Sequence, residues 1–150
     1  MNESEKNDLL KAVFDVIPSM LFVVDQDVSI QEYNSAASDL MMAERKVVLK
    51  QRLGDILHCL HSDDVAEGCG RARACEKCIV RNATTAAFKG NNTVRRRTKL
   101  ELIRDDQHVL IYALISASPF IFHKTPFVLL VIEDIKELAE LQRLIPICAR

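Results

Sequence analysis

The chain has 150 residues, of which 49% are apolar and 27% charged, and its formal net charge is -1. That is the size and make-up of one folded domain with a hydrophobic core, and it excludes a disordered chain. Near-neutral charge gives no global reason for affinity to nucleic acid or to an anionic membrane surface. The longest apolar runs, at 109–115 and 126–132, fall far short of the roughly 20 residues a spanning helix needs. Residues 1–11 are mostly polar and charged, without the apolar centre of a signal peptide, so the expected compartment is the cytoplasm.

Residues 4–16 read as a helix. Leu10, Val13, Phe14 and Ile17 recur at i, i+3, i+4 and i+7, and Pro18 ends the run. Residues 20–25 and 28–33 read as two strands with a turn at Gln26 and Asp27, which makes a hairpin. Asn34 and Ser35 offer side-chain oxygens to cap a helix that carries Ala36, Ala37, Leu40 and Met41 on one side. Residues 44–57 suit one or two short helical turns, broken at Gly54. Residues 59–78 form a polar, glycine-containing loop. A helix is expected from 76 to 88, with Ile79, Val80, Ala83, Ala86 and Ala87 as its apolar face, stopped by Gly90, Asn91 and Asn92.

Three further strands are expected at 93–103, 108–122 and 126–133, joined by turns at 104–107 and 123–125. A last helix runs from Asp134 to about Leu144 with Ile135, Leu138 and Leu141 on one face, limited by Pro146. Strands and helices are segregated rather than alternating, which argues an α+β fold with an antiparallel sheet.

The segment DVIPSMLFVVDQDVSIQEYNSAASDLM resembles the opening hairpin and first helix of PAS sensor domains, with Ile17-Pro18 at the entry, Asp25 at the strand end and Asn34 opening the helix. VLLVIEDIKELAELQRL resembles their last strand and exit helix, with Glu133-Asp134-Ile135 at the junction. The resemblance covers about residues 10–142. It implies a five-stranded antiparallel sheet with helices packed on one face and a pocket between them. The implied organisation is an N-terminal flanking helix at 1–17, a PAS core at 18–134 and an exit helix and linker at 135–150.

The resemblance also implies a sensory module of a bacterial signalling protein, of the sensor kinase or cyclase type, rather than an enzyme. It would act with an output domain in the same or a partner chain. The tail LIPICAR resembles the linker that follows PAS domains in such proteins, so the chain is expected to be part of a longer sensor. The apolar stripes of the first and last helices suit either a partner helix, as in a homodimer, or their own core.

Five cysteines occur: Cys59, Cys69, Cys75, Cys78 and the distant Cys148. The first four are spaced C-x9-C-x5-C-x2-C, and four thiolates suit one tetrahedral zinc or an iron–sulfur cluster. Gly68 and Gly70 let the backbone wrap around Cys69. Cys78 is expected in the first turns of the following helix, where the helix dipole and Arg71, Arg73, Lys77 and Arg81 would favour thiolate over thiol. The spacing resembles the C…GCG…CxxC insertion of a subset of bacterial PAS domains. Other PAS sensors carry an oxygen-labile iron–sulfur cluster on two C-x-x-C pairs, whereas this chain has one. Disulfides and unpaired thiols are the alternatives, and His58 and His61 are spare nitrogen ligands, more readily solvated or capping residues.

Covalent haem needs C-x-x-C-H, but position 79 is Ile. His108 and His123 fall at strand ends, the chain has no Trp, and aromatics are 5% of it, so neither flavin nor haem is expected. Arg95, Arg96, Arg97 and Lys99 lack the aromatic interleaving of a nucleic-acid site and suit the solvent side and edge of a sheet. No phosphate-binding or nucleophile motif occurs. The alternatives to a metal or redox sensor are a PAS domain that binds a small organic ligand, with structural cysteines, and a pure dimerisation module.

Overall fold

The computed structural model describes residues 1–144. In chain order the elements are α1 (Glu3–Val16), β1 (Met20–Val24), β2 (Ile30–Tyr33), α2 (Ser35–Met41), α3 (Arg45–Val48), α4 (Leu53–Ile56), a 3₁₀ turn (Arg73–Lys77), α5 (Ile79–Phe88), β3 (Thr93–Arg104), β4 (Gln107–Phe122), β5 (Thr125–Asp134) and α6 (Lys136–Leu144). Cys148, Pro146 and most of the LIPICAR linker lie outside the described residues.

The strands form one antiparallel sheet in the order β2-β1-β5-β4-β3. The first strand therefore pairs with the last, and this closes the sheet from its two halves. Side chains on a strand alternate faces. Phe22 and Val24 of β1, Ala113, Ile115 and Ala117 of β4, and Val128, Leu130 and Ile132 of β5 are fully buried on the inner face. On this face α5 lays Val80, Ala83, Thr84 and Ala87. Its small side chains let the helix approach the sheet, and the Thr84 hydroxyl is satisfied by donating to the Val80 carbonyl at 2.9 Å.

Asn34 is the buried polar node of the entry. Its Oδ1 accepts from the amides of Leu21 (3.0 Å) and Ala37 (3.1 Å). Its Nδ2 donates to the carbonyls of Phe14, Ile17 and Ser19 at 3.1, 3.2 and 3.0 Å. One side chain thus caps α2 and ties the end of α1 and the link through Pro18 to β1.

The structure differs from the sequence reading in several boundaries. β2 begins at Ile30 rather than at 28, because Asp25 Oδ1 accepts from the amides of Asp27 and Ser29, both at 2.9 Å, and Val28 takes a positive φ of 60°. Gly54 lies inside α4 rather than at a break; the break between the short helices falls at 49–52, where Lys50 has φ 74°. Both later hairpins turn on two residues at positive φ, Asp105-Asp106 and His123-Lys124, so the flanking strands are longer than expected. α6 starts at Lys136, whose amide bonds to Asp134 Oδ1 at 2.9 Å. β3 is one of the two edge strands, and Arg95, Arg96, Arg97 and Lys99 are exposed along it as expected.

Asn34→Ala would leave two buried amides and three carbonyls without this partner. It is expected to cost about 3 kcal/mol in urea denaturation. A loss below about 1 kcal/mol would show that water replaces the node.

Candidate functional site

The loop between α4 and α5 carries all four clustered cysteines, held by three different backbone devices. Cys59 forms a bridge with Leu102 on the free edge of β3, flanked by Ile103 N–H donating to the His58 carbonyl and Leu60 N–H to the Glu101 carbonyl, both at 2.8 Å. The start of the loop is thereby tied to the sheet edge by an isolated bridge. Cys69 is fixed by its amide, which donates to Asp55 Oδ1 at 2.8 Å. Asp55 in turn accepts from Arg52 Nε at 3.1 Å, and Arg52 Nη2 donates to the Glu67 carbonyl.

Around Cys69 three glycines make room. Gly68 and Gly70 both sit at φ +86°, and a Cβ on Gly68 would meet Asp55 Oδ1 at 2.8 Å. A Cβ on Gly70 would collide with the Arg81 guanidinium, and one on Gly54 would lie 2.6 Å from Cys69 Sγ. The Gly-Cys-Gly word is therefore a packing requirement as well as a conformational one.

Cys75 and Cys78 are set by the 3₁₀ turn. The Cys78 amide donates to the Cys75 carbonyl at 3.1 Å, and in 3₁₀ geometry residues three apart lie over one another. Cys78 is the N-cap of α5, its Sγ accepting from the Arg81 amide at 3.5 Å, and not a residue of the first helical turns. The helix begins at Ile79 because the residues before it follow the tighter 3₁₀ path.

All four cysteines are half-buried free thiols. They line one cleft of ≈ 1030 Å³ between the loop, α5 and β3, together with Val28, Leu53, Leu57, Leu102 and Ile132. Among the described residues no three or more Cys, His, Asp or Glu side chains are already gathered as a metal-ligand set. His61 lines the cleft, but its Nδ1 lies 2.8 Å from Asp64 Oδ2; His58 is exposed outside the lining. His108 is exposed and faces Glu101 at 3.5 Å, and His123 is exposed in its turn.

The expected bias toward thiolate is not met at two of the four. Burial pushes the Cys59 thiol up, and its neighbours Cys78, Cys69 and Cys75 add to it. Burial likewise raises Cys78, against the lowering pull of the Arg81 and Val80 amides. Of the four cations expected to help, Arg73 and Lys77 are exposed, and Arg71 makes a fork to Asp27 at 3.0 and 2.9 Å. Arg81 does reach a sulfur, with Nη2 donating to Cys69 Sγ at 3.3 Å.

The sequence reading missed the ion cluster outside this loop. Asp27 receives Arg71, Arg81 (2.8 Å) and, at 3.7 Å, Arg52. Burial opposes its ionisation, but the hydrogen bonds and charges of Arg71 and Arg81 outweigh it and hold the carboxyl below the usual range. Asp27 looked like an ordinary turn residue; the only signal was the density of arginines around the cysteines.

The fold is that of PAS domains. Similar solved structures include the PAS domain of an HTR-like protein from Haloarcula marismortui (19% identity, 88% of this chain and 99% of that one, TM-score 0.55). The PAS domain of nitrogen regulation protein NR(II) from Vibrio parahaemolyticus is another (15% identity, 85% and 98%, TM-score 0.56). The PAS domain of BvgS from Bordetella pertussis is a third (14% identity, 92% and 92%, TM-score 0.54). At such identities the likeness establishes the fold. No protein-family model and no curated protein sequence matches the chain.

Two outcomes follow from this geometry. Gly70→Ala is expected to cost about 2–3 kcal/mol in urea denaturation, against about 1 kcal/mol for Gly90→Ala, which has φ +91° but open space around it. Equal costs would deny the close approach of Arg81. The second concerns pH. With folded pKa values above those of the unfolded chain, Cys59 and Cys78 contribute stability that is fully present below the ordinary thiol pKa of about 8.5. It is lost as pH rises through the raised folded values. Denaturation of the reduced, metal-free protein between pH 7 and 10 should therefore fall more steeply in the parent than in Cys59→Ser/Cys78→Ser; parallel curves would contradict the burial effect.

Proposed function

We propose that this chain is a sensory PAS module whose cysteine loop holds a metal centre, either zinc or an iron–sulfur cluster, and relays its state to an output segment through α6. The observation that carries this reading is that four thiols on three separately anchored stretches of backbone line a single cleft. Thiols are the donors both centres accept, and Cys59, Cys69, Cys75 and Cys78 would hold either. The raised thiols of Cys59 and Cys78 must give up protons on coordination, so affinity rises with pH.

The anchors give the relay its physical route. Cys59 is bonded onto β3 and Cys78 starts α5, so drawing the four sulfurs together pulls on the sheet edge and on the helix laid across the sheet. β3 pairs with β4 over Lys99 and Tyr112, and the Tyr112 carbonyl accepts the Ile135 amide at 2.9 Å at the entry to α6. Such a switch needs two states separated by only a few kcal/mol. This module is sensory rather than catalytic, works in the cytoplasm, and acts on an output domain in the same or a partner chain, of the sensor kinase or cyclase type. No helix among the described residues is long and apolar enough to cross a membrane.

A homodimer suits the exposed apolar stripes. Leu10, Val13 and Val16 of α1 are 61%, 46% and 76% exposed, and no α1 residue is buried. Leu138 and Leu141 of α6 are exposed too. A second reading, a small organic ligand with structural cysteines, is favoured by the cleft's volume, which exceeds what one metal ion needs. Native mass spectrometry of the purified chain separates them, since a retained organic mass without metal supports the second reading.

Anaerobically purified protein is expected to carry zinc, or brown iron and sulfide, at one centre per chain. Chelator should lower its melting temperature, and each Cys→Ser change should weaken binding by at least about tenfold. Absence of metal by elemental analysis, with no melting shift on adding zinc, would defeat the proposal. For the dimer, sedimentation is expected to give twice the chain mass, reduced to one by Leu10→Glu/Val13→Glu; a monomeric parent at high concentration would contradict it.

A further inference from the structure

The guanidinium of Arg81 stands between the cysteine cleft and a part of the fold that contains no cysteine. Arg81 lies in the first turn of α5, and its side chain is only 15% exposed. Nη2 donates to Cys69 Sγ at 3.3 Å and to the Asp27 carbonyl at 3.2 Å, while Nη1 donates to Asp27 Oδ1 at 2.8 Å. The same planar fork therefore serves a sulfur on one side and both polar groups of a turn residue on the other. Gly70, the residue after Cys69, has no Cβ where Arg81 lies across it. Nothing separates sulfur, guanidinium and carboxylate.

Asp27 sits in the β1–β2 turn, which has its own hydrogen bonds. Asp25 Oδ1 holds the amides of Asp27 and Ser29, and the Asp25 carbonyl accepts the Val28 amide at 3.0 Å. The turn is pinned to the loop a second time by Arg71, two residues beyond Cys69. β1 then pairs with β5, the strand that leads to α6.

We propose that Arg81 couples the chemical state of Cys69 to the order of the β1–β2 turn. A sulfur that accepts from Nη2 orients the fork for Asp27. A sulfur that is removed or turned away frees the fork, and the turn loosens. This is a second route out of the cleft, distinct from the one through β3 and β4; it rests on the proposed sensory reading only for what alters Cys69 in service. Arg81 acts here as a positioning residue, through Asp27.

The test is a double-mutant cycle on the reduced, metal-free chain, read by amide hydrogen exchange at Asp27, Val28 and Ser29. Cys69→Ala is expected to speed exchange at these amides by about threefold or more. Cys75→Ala, whose side chain bonds neither to Arg81 nor to the turn, should leave them unchanged. In an Arg81→Met background Cys69→Ala should add nothing. Equal acceleration by Cys69→Ala with and without Arg81, or none in either, overturns the proposal. Should Arg81→Met fail to fold, Arg81→Lys serves, because it keeps the charge without the fork and is expected to abolish the coupling equally.

Cadmium added to the same parent chain keeps the two readings apart. A missing cadmium–thiolate absorption band sinks the metal centre, while a non-zero coupling in the cycle still upholds Arg81. A strong band with zero coupling in the cycle sinks Arg81 and leaves the metal centre.

Discussion

The acceptance of the Cys69 amide by the Asp55 carboxylate is the bond on which the cleft depends. The stretch from Leu57 to Cys78 is long for a connection in a compact domain, and only one 3₁₀ turn within it repeats. Such a segment keeps its place only if its backbone is bonded to something rigid. Asp55 supplies this from α4, directly beside Gly54, where the absence of a side chain lets Cys69 Sγ come close. Arg52 braces Asp55 and the Glu67 carbonyl together. The edge of β3 holds the beginning of the loop and the N-cap of α5 holds its end. The cysteines are thus presented from three directions around one space.

The proposed sensory reading builds on that arrangement. Among the described residues the donors share a cleft without forming a ligand set, and burial pushes two of the thiols up. Under the proposed reading, closing the set would cost proton release and movement of the loop. Both costs would couple occupancy of the cleft to the conformation of α5 and the sheet edge. The arginine cluster around Asp27 then has an electrostatic use as well as a structural one, since cations beside the cleft offset the negative charge that four thiolates would bring.

Much of the fold was legible because it is written in local rules. Apolar, β-branched runs between turn residues gave the strands, the apolar spacing gave α1 and α5, and Asn34 announced a helix cap. The opening hairpin with its helix, and the last strand with its exit helix, carried the family resemblance. The turn boundaries were less legible, because Asp25 organises the whole β1–β2 turn through one carboxylate oxygen and Asp105, Asp106, His123 and Lys124 adopt positive φ without glycine. At the site, the cysteines and the glycines beside Cys69 stood out. The roles of Asp27, Arg52 and Asp55 did not, since their partners are distant in sequence and a charged residue in a loop reads as solvated. The thiolate expectation failed at Cys59 and Cys78 because local charge is visible in a sequence and burial is not.

X-ray absorption at the metal edge of protein purified without oxygen tests the central claim most directly. The account requires a first shell of about four sulfur atoms, near 2.3 Å for zinc, lost together when Cys69 and Cys78 are replaced by serine. A shell of nitrogen or oxygen alone, or no metal at the edge of either zinc or iron, would contradict it.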